Sequence, residues 1–163
     1  MVVKLVQTEI EGGQELESLL AQTGLKVIEV YSEWAGPCLA VIPSLKSIRQ
    51  ELDDEQSLTF FKIKAETCKA AEDPAQKVEC NELVAERRGK SEPRFLVYRN
   101  GHLMACVNGV NTPIISRVSK ENYPMGPDAD KLDDNGILQA RKARAEAAKG
   151  GAGKGAATRR RRG

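Results

Sequence analysis

Lys26-Val-Ile-Glu-Val-Tyr31, followed by Ser32-Glu33-Trp34-Ala35-Gly36-Pro37-Cys38, is the stretch of this 163-residue chain that decides the fold. The first six residues alternate in character and are rich in β-branched side chains, which predicts a strand. Gly36-Pro37 then breaks the pattern, and proline is pre-shaped for the first position of a helix. Leu39, Ile42, Leu45, Ile48 and Leu52 recur at spacings of three and four, which predicts a helix directly after Pro37. Pro43 falls inside that helix, where it should remove one ladder bond and bend the axis. Trp34–Cys38 looks like a dithiol redox motif with half its chemistry removed. In the intact motif the first of two cysteines sits exposed at the helix start, where N–H groups and the helix dipole favour the attacking thiolate. The second, three positions on and more shielded, resolves the mixed disulfide. Here Ala35 holds the first position, and only Cys38 remains.

The same reading extends outward. Val2–Val6 is expected as an opening strand, and Gln14–Gln22 as a helix with Leu16, Leu19 and Leu20 on its apolar side. Leu58–Ile63 should be a buried strand with Phe61 and Ile63 on one face and Phe60 on the other. Residues 64–92 form a long, polar crossover with a helix expected from about Ala75 to Arg88. Asn100-Gly101 is a strong type I′ turn signal between Phe95–Tyr98 and His102–Val107. Thr112 as N-cap and Pro113 behind it should open a last helix running to about Asn122.

Taken together, these residues resemble the thioredoxin family over roughly Met1–Tyr123. Val30–Cys38 looks like the family's strand, active-site turn and helix start, and Pro43 matches its helix proline. Glu29 falls where the family carries a buried acid beneath the dithiol, and Lys62 where it has a basic neighbour on the next strand. Ser91-Glu92-Pro93 before Phe95–Tyr98 is similar to the cis-proline loop, and Gly109 matches a glycine facing the active site. The resemblance implies an α/β fold, a mixed sheet flanked by helices. It also implies a groove formed by Trp34, Ala35, Gly36, Pro37, Glu92, Pro93 and Gly109, a cis Pro93, and a buried charge pair of Glu29 with Lys62. Cys38 is the candidate catalytic residue, a residual motif thiol expected not to turn over. Its position normally holds the shielded resolver, and a buried thiol is a poor nucleophile.

Charge divides the chain. Residues 1–123 carry 15 Lys and Arg against 18 Asp and Glu, a formal −3; residues 124–163 carry 10 against 5, or +5. The second part is therefore expected as a flexible basic extension, partly helical over Ile137–Lys149 and ending in Arg159–Arg162. Without large apolar side chains it should not fold unaided. Readings of the arginine run are a solvated tail, contact with an acidic surface such as the microtubule, a nuclear signal and nucleic acid; the acidic domain disfavours nucleic acid for the domain and leaves it open for the tail.

Cys38, Cys68, Cys80 and Cys106 do not follow a zinc spacing, and His102 adds little, so neither metal nor cofactor is expected. No charged-then-apolar leader and no run of ~20 apolar residues is present, so a reducing cytosolic setting and no membrane partner are expected. Cys68 and Cys80 are candidate redox thiols of the crossover. Within the family, the long crossover and the extension look most like the thioredoxin-related light chains of axonemal outer-arm dynein. That likeness implies a subunit docked on a dynein heavy chain in cilia or flagella, expected to be non-catalytic because Ala35 replaces the attacking cysteine, with any redox sensing left to the remaining thiols. Two other readings stay open: a redox enzyme or sensor using the single thiol Cys38, and a domain holding client peptides beside Pro93 by backbone pairing.

Overall fold

The computed structural model describes residues 6–52, 57–125 and 129–152. Its elements are β1 (Thr8–Ile10), α1 (Gly13–Leu20), β2 (Leu25–Tyr31), α2 (Ile42–Leu52), β3 (Leu58–Lys64), α3 (Glu79–Ala85), β4 (Arg94–Arg99), β5 (His102–Asn108), α4 (Thr112–Glu121) and α5 (Gly136–Ala152). The strands form one mixed sheet in the order β1-β3-β2-β4-β5. β1 and β2 run parallel to β3, while β4 runs antiparallel to both β2 and β5. All seven residues of β2 are buried, as a central strand covered on both faces requires.

Two apolar layers cover the sheet. On one face Ile28, Val30, Ile63, Leu96 and Tyr98 meet Leu16, Leu20, Cys80 and Val84 from α1 and α3. On the other, Val27, Phe60, Phe95 and Val97 meet Leu45 and Ile48 of α2 and Ile115 of α4. Phe61 and Phe60 take opposite faces, as the alternation along β3 predicts. Asn100 (φ 46°) and Gly101 (φ 72°) are both left-handed, which is the geometry of a type I′ hairpin turn.

Several local expectations are corrected. The opening strand at residues 2–6 lies almost wholly outside the described residues; the first strand observed is Thr8–Ile10. The helix after the motif does not begin at Pro37. Cys38 is extended (φ −80°, ψ 106°), Leu39–Val41 forms a single 3₁₀ turn, and α2 begins at Ile42. Pro43 therefore stands in the first helical turn, where its missing N–H removes no ladder bond. α4 is capped by Asn111, whose side chain accepts from Ile114 N at 3.3 Å, rather than by Thr112. In the crossover, a 3₁₀ turn at Pro74–Gln76 and the short α3 replace one longer helix.

The extension folds back onto the domain over residues 129–152. Asn135 is fully buried and Ile137 belongs to the α1–α3 core layer. The Asn135 amide donates to Leu20 O (3.0 Å), Gln22 O (3.3 Å) and Asn100 Oδ1 (3.1 Å). Its Oδ1 accepts from the N–H groups of Ile137 and Leu138, capping α5. Gly136 N donates to Asn100 O at 3.0 Å. A Cβ on Gly136 would stand 2.6 Å from Gly101 O, so only glycine allows this approach. The Arg159–Arg162 run lies outside the described residues.

Candidate functional site

Three segments meet at one end of the sheet: the turn after β2, the loop before β4, and the loop after β5. Ser32 anchors the first. Its carbonyl accepts from Ala35 N (3.1 Å) and Gly36 N (3.0 Å), and Gly36 takes φ 72° to close the turn. Ser32 Oγ donates to Lys90 O (2.6 Å) and Arg87 O (3.1 Å), which binds the turn to the second loop. Buried Arg87 in turn donates to Glu92 O at 2.7 Å and lies 3.5 Å from its carboxylate. Gly109 N donates to Pro93 O at 2.7 Å. Gly109 sits at φ 83°, a left-handed conformation that selects glycine, and the Glu92 carboxylate lies against the space a Cβ would take. The structure thus brings the motif and Pro93–Gly109 segments to the same end.

The peptide bond before Pro93 is trans: no described residue has a cis bond. This corrects the expected cis-proline. Trans is the default for X–Pro, and here the Arg87 clamp on Glu92 O and the Gly109 bond on Pro93 O hold the loop in that form.

Beneath the turn, Glu29 is fully buried. Its carboxylate accepts from Cys38 N at 2.6 Å and from Gln7 Nε2 at 2.8 Å. The expected ion pair with Lys62 is absent among the described residues. Lys62 is the in-register neighbour on β3 but is half-buried, and it acts on Glu29 only through its field. Gln7 meets the acid instead, and nothing in the sequence around Gln7 signals this. Burial pushes the Glu29 carboxyl above its ordinary range; the bonds from Cys38 N and Gln7 oppose that shift without cancelling it.

Chemically, this end offers no attacking sulfur at position 35 and displays large apolar side chains. Ala35 is exposed and Cys38 half-buried. Trp34 is 67% exposed and Leu39 78%, with Val110 at 42% beyond Gly109. Exposed apolar surface of this kind, where it is contiguous, is a feature of protein contact sites.

The other thiols lie elsewhere. Cys68 and Cys80 are buried and free, and each Sγ lies 3.8 Å from Asn81 Oδ1. Burial raises both thiols, Cys80 to about 12 with help from the Glu17 charge, so neither holds a thiolate at neutral pH. Cys106 is exposed on β5. Among the described residues no group of three His, Cys, Asp or Glu could hold a metal ion, and no helix is long and apolar enough to cross a membrane.

Residues 7–120 match the thioredoxin family. The chain is 41% identical over 145 residues to a protein of Chlamydomonas reinhardtii named as the 16 kDa light chain of the flagellar outer-arm dynein; this covers 89% of the chain and 86% of that protein. It is 36% identical over 117 residues to a thioredoxin domain-containing protein 3 homolog of Heliocidaris crassispina, 71% of this chain but only 12% of that one. Among solved structures, the oxidized mitochondrial thioredoxin 3 of Saccharomyces cerevisiae aligns with a TM-score of 0.51 at 22% identity, covering 71% of this chain and 94% of that one. That likeness speaks to the fold alone.

Proposed function

The chain belongs to the thioredoxin family, and from that premise we propose that it is a non-catalytic interaction subunit, a light chain docked on a heavy chain of axonemal outer-arm dynein. The observation that carries this reading is the extent of the likeness to the flagellar light chain. An alignment taking 145 of 163 residues omits 18, so it spans residues 19–145 wherever it lies, and therefore reaches past Asn135 into α5. A shared thioredoxin domain alone would stop near residue 120.

The site supports binding over turnover. Ala35 supplies no attacking thiolate, and the Cys38 backbone is bonded to Glu29 beneath the turn. With Trp34 and Leu39 standing in solvent, this end suits protein contact. The groove rim and the crossover side are the two candidate surfaces, located in the cytoplasm at the axoneme of a cilium or flagellum. The arginine run would add salt-sensitive attraction to an acidic neighbour such as the microtubule. The competing reading, a monothiol enzyme or sensor acting through Cys38, draws on that thiol's partial exposure.

High-salt extraction of axonemes tests the assignment. The protein should leave together with a dynein heavy chain and cosediment with it, and deleting residues 153–163 should not release it. A protein found free in the cytosol, or bound through the tail alone, overturns the reading.

A further inference from the structure

α5 does more than cover the core through Ile137. With the start of α3 and the β4–β5 hairpin it walls a cavity of about 370 Å³, within the size range of ligand pockets. The walls are largely apolar, including Val78, Cys80, Leu103 and Ala140. Tyr98 also lines the cavity. It is 2% exposed, and its hydroxyl has no hydrogen-bond partner among the described residues. A buried tyrosine usually has such a partner. Burial also raises the phenol, so at neutral pH it is an O–H donor.

The rim of this cavity is cationic. Lys77 is exposed there, and Arg144 reaches it from α5. Arg144 and Arg141 both donate to the same oxygen of Glu17, at 2.8 and 2.7 Å, so two positive charges share one negative. Glu79 is the single carboxylate among the lining residues. An apolar pocket with one buried donor and surplus positive charge at its mouth complements an apolar side chain flanked by carboxylates.

We propose that this cavity is the docking pocket for an extended segment of the dynein partner, taking one apolar side chain with an acidic neighbour on the Lys77–Arg144 rim and an oxygen accepting from Tyr98. The proposal rests on the light-chain reading above. One wall is α5, which the alignment with the flagellar light chain enters, whereas the alignments with larger thioredoxin-domain proteins span 112–119 residues. The pocket therefore combines domain and extension in a way a bare thioredoxin domain does not provide.

The test measures binding of the labelled full-length protein to purified outer-arm dynein lacking its own copy of this light chain. Ala140→Trp fills the cavity from an exposed helical position and should weaken binding about tenfold or more. Lys77→Glu should weaken it several-fold, with the loss shrinking at high salt. Tyr98→Phe should weaken binding several-fold while raising the melting temperature, a pairing that a purely structural hydroxyl would not produce. Lys46→Glu, the same charge reversal on α2 across the sheet, should bind like the parent protein. If the parent protein binds and the three pocket variants bind equally well, the pocket proposal is wrong and the light-chain reading stands. If the parent protein does not bind dynein, the light-chain reading fails and the pocket proposal with it. Should Ala140→Trp not fold, the Lys77 and Tyr98 variants decide.

Discussion

The turn at Ser32–Cys38 and the junction at Asn135 sit in different loops of the fold and have been built to opposite specifications. The turn is held by backbone bonds to Ser32 and leaves Trp34 in solvent. The junction buries its key side chain completely and gives it five hydrogen bonds reaching α1, the hairpin turn and α5. A buried polar group is strongly disfavoured unless its bonds are made, so full satisfaction at Asn135 specifies one arrangement of the extension. The turn is tied to neighbouring segments only at its two ends, through Ser32 Oγ and Cys38 N, and nothing comparable holds the Trp34 side chain between them. The Trp34 surface is thus displayed to solvent between two anchored ends, whereas residues 130–144 of the extension are fixed to the domain.

Mutation can break this contrast, beginning at the junction. Asn135→Ala removes five bonds and leaves the Leu20 and Gln22 carbonyls without their amide donor, at a cost of about 3 kcal/mol. For a chain of this size the melting temperature should fall by roughly 6–12 °C, with loss of α5 helicity in circular dichroism. A fall of less than about 2 °C would mean that the extension is not held as described.

A smaller effect, with a definite sign, is expected at Glu29. Its folded pKa lies above the ordinary value of 4.5 because burial penalises the charged form. Such a group contributes stability below its unfolded pKa and loses it as pH rises through the folded value. Glu29→Gln should therefore melt close to the parent protein near pH 4 and above it at pH 8. A gap that narrows with rising pH would show that the bonds from Cys38 N and Gln7 outweigh desolvation.

The smallest effect belongs to the turn. Trp34→Ala should change stability by less than about 0.5 kcal/mol, as for other exposed positions. A larger loss would mean that the turn is packed rather than displayed.

Much of the fold was legible because its signals are local. The β-branched run of β2, the alternation along β3 and the Asn-Gly hairpin turn each lie within a few residues. The site was legible only in outline. Pro43 appeared to interrupt a helix because the apolar spacing continues from Leu39, but the chain is still in a 3₁₀ turn until Ile42. Glu29 paired on paper with Lys62, its neighbour across the sheet, whereas its bonds come from Gln7 and the Cys38 backbone. Asn135 was invisible for the same reason: in an Asp-Asp-Asn-Gly run it looks like linker, and its partner Leu20 lies 115 residues away. Contacts made through backbone carbonyls at that separation leave no periodicity to read.

If the chain is a binding subunit, as proposed, its motif end performs no thiol exchange. Insulin reduction by the full-length protein with dithiothreitol tests it most directly. The rate should equal that of the control without protein, because Ala35 supplies no attacking thiolate. Robust turnover abolished by Cys38→Ser would contradict it.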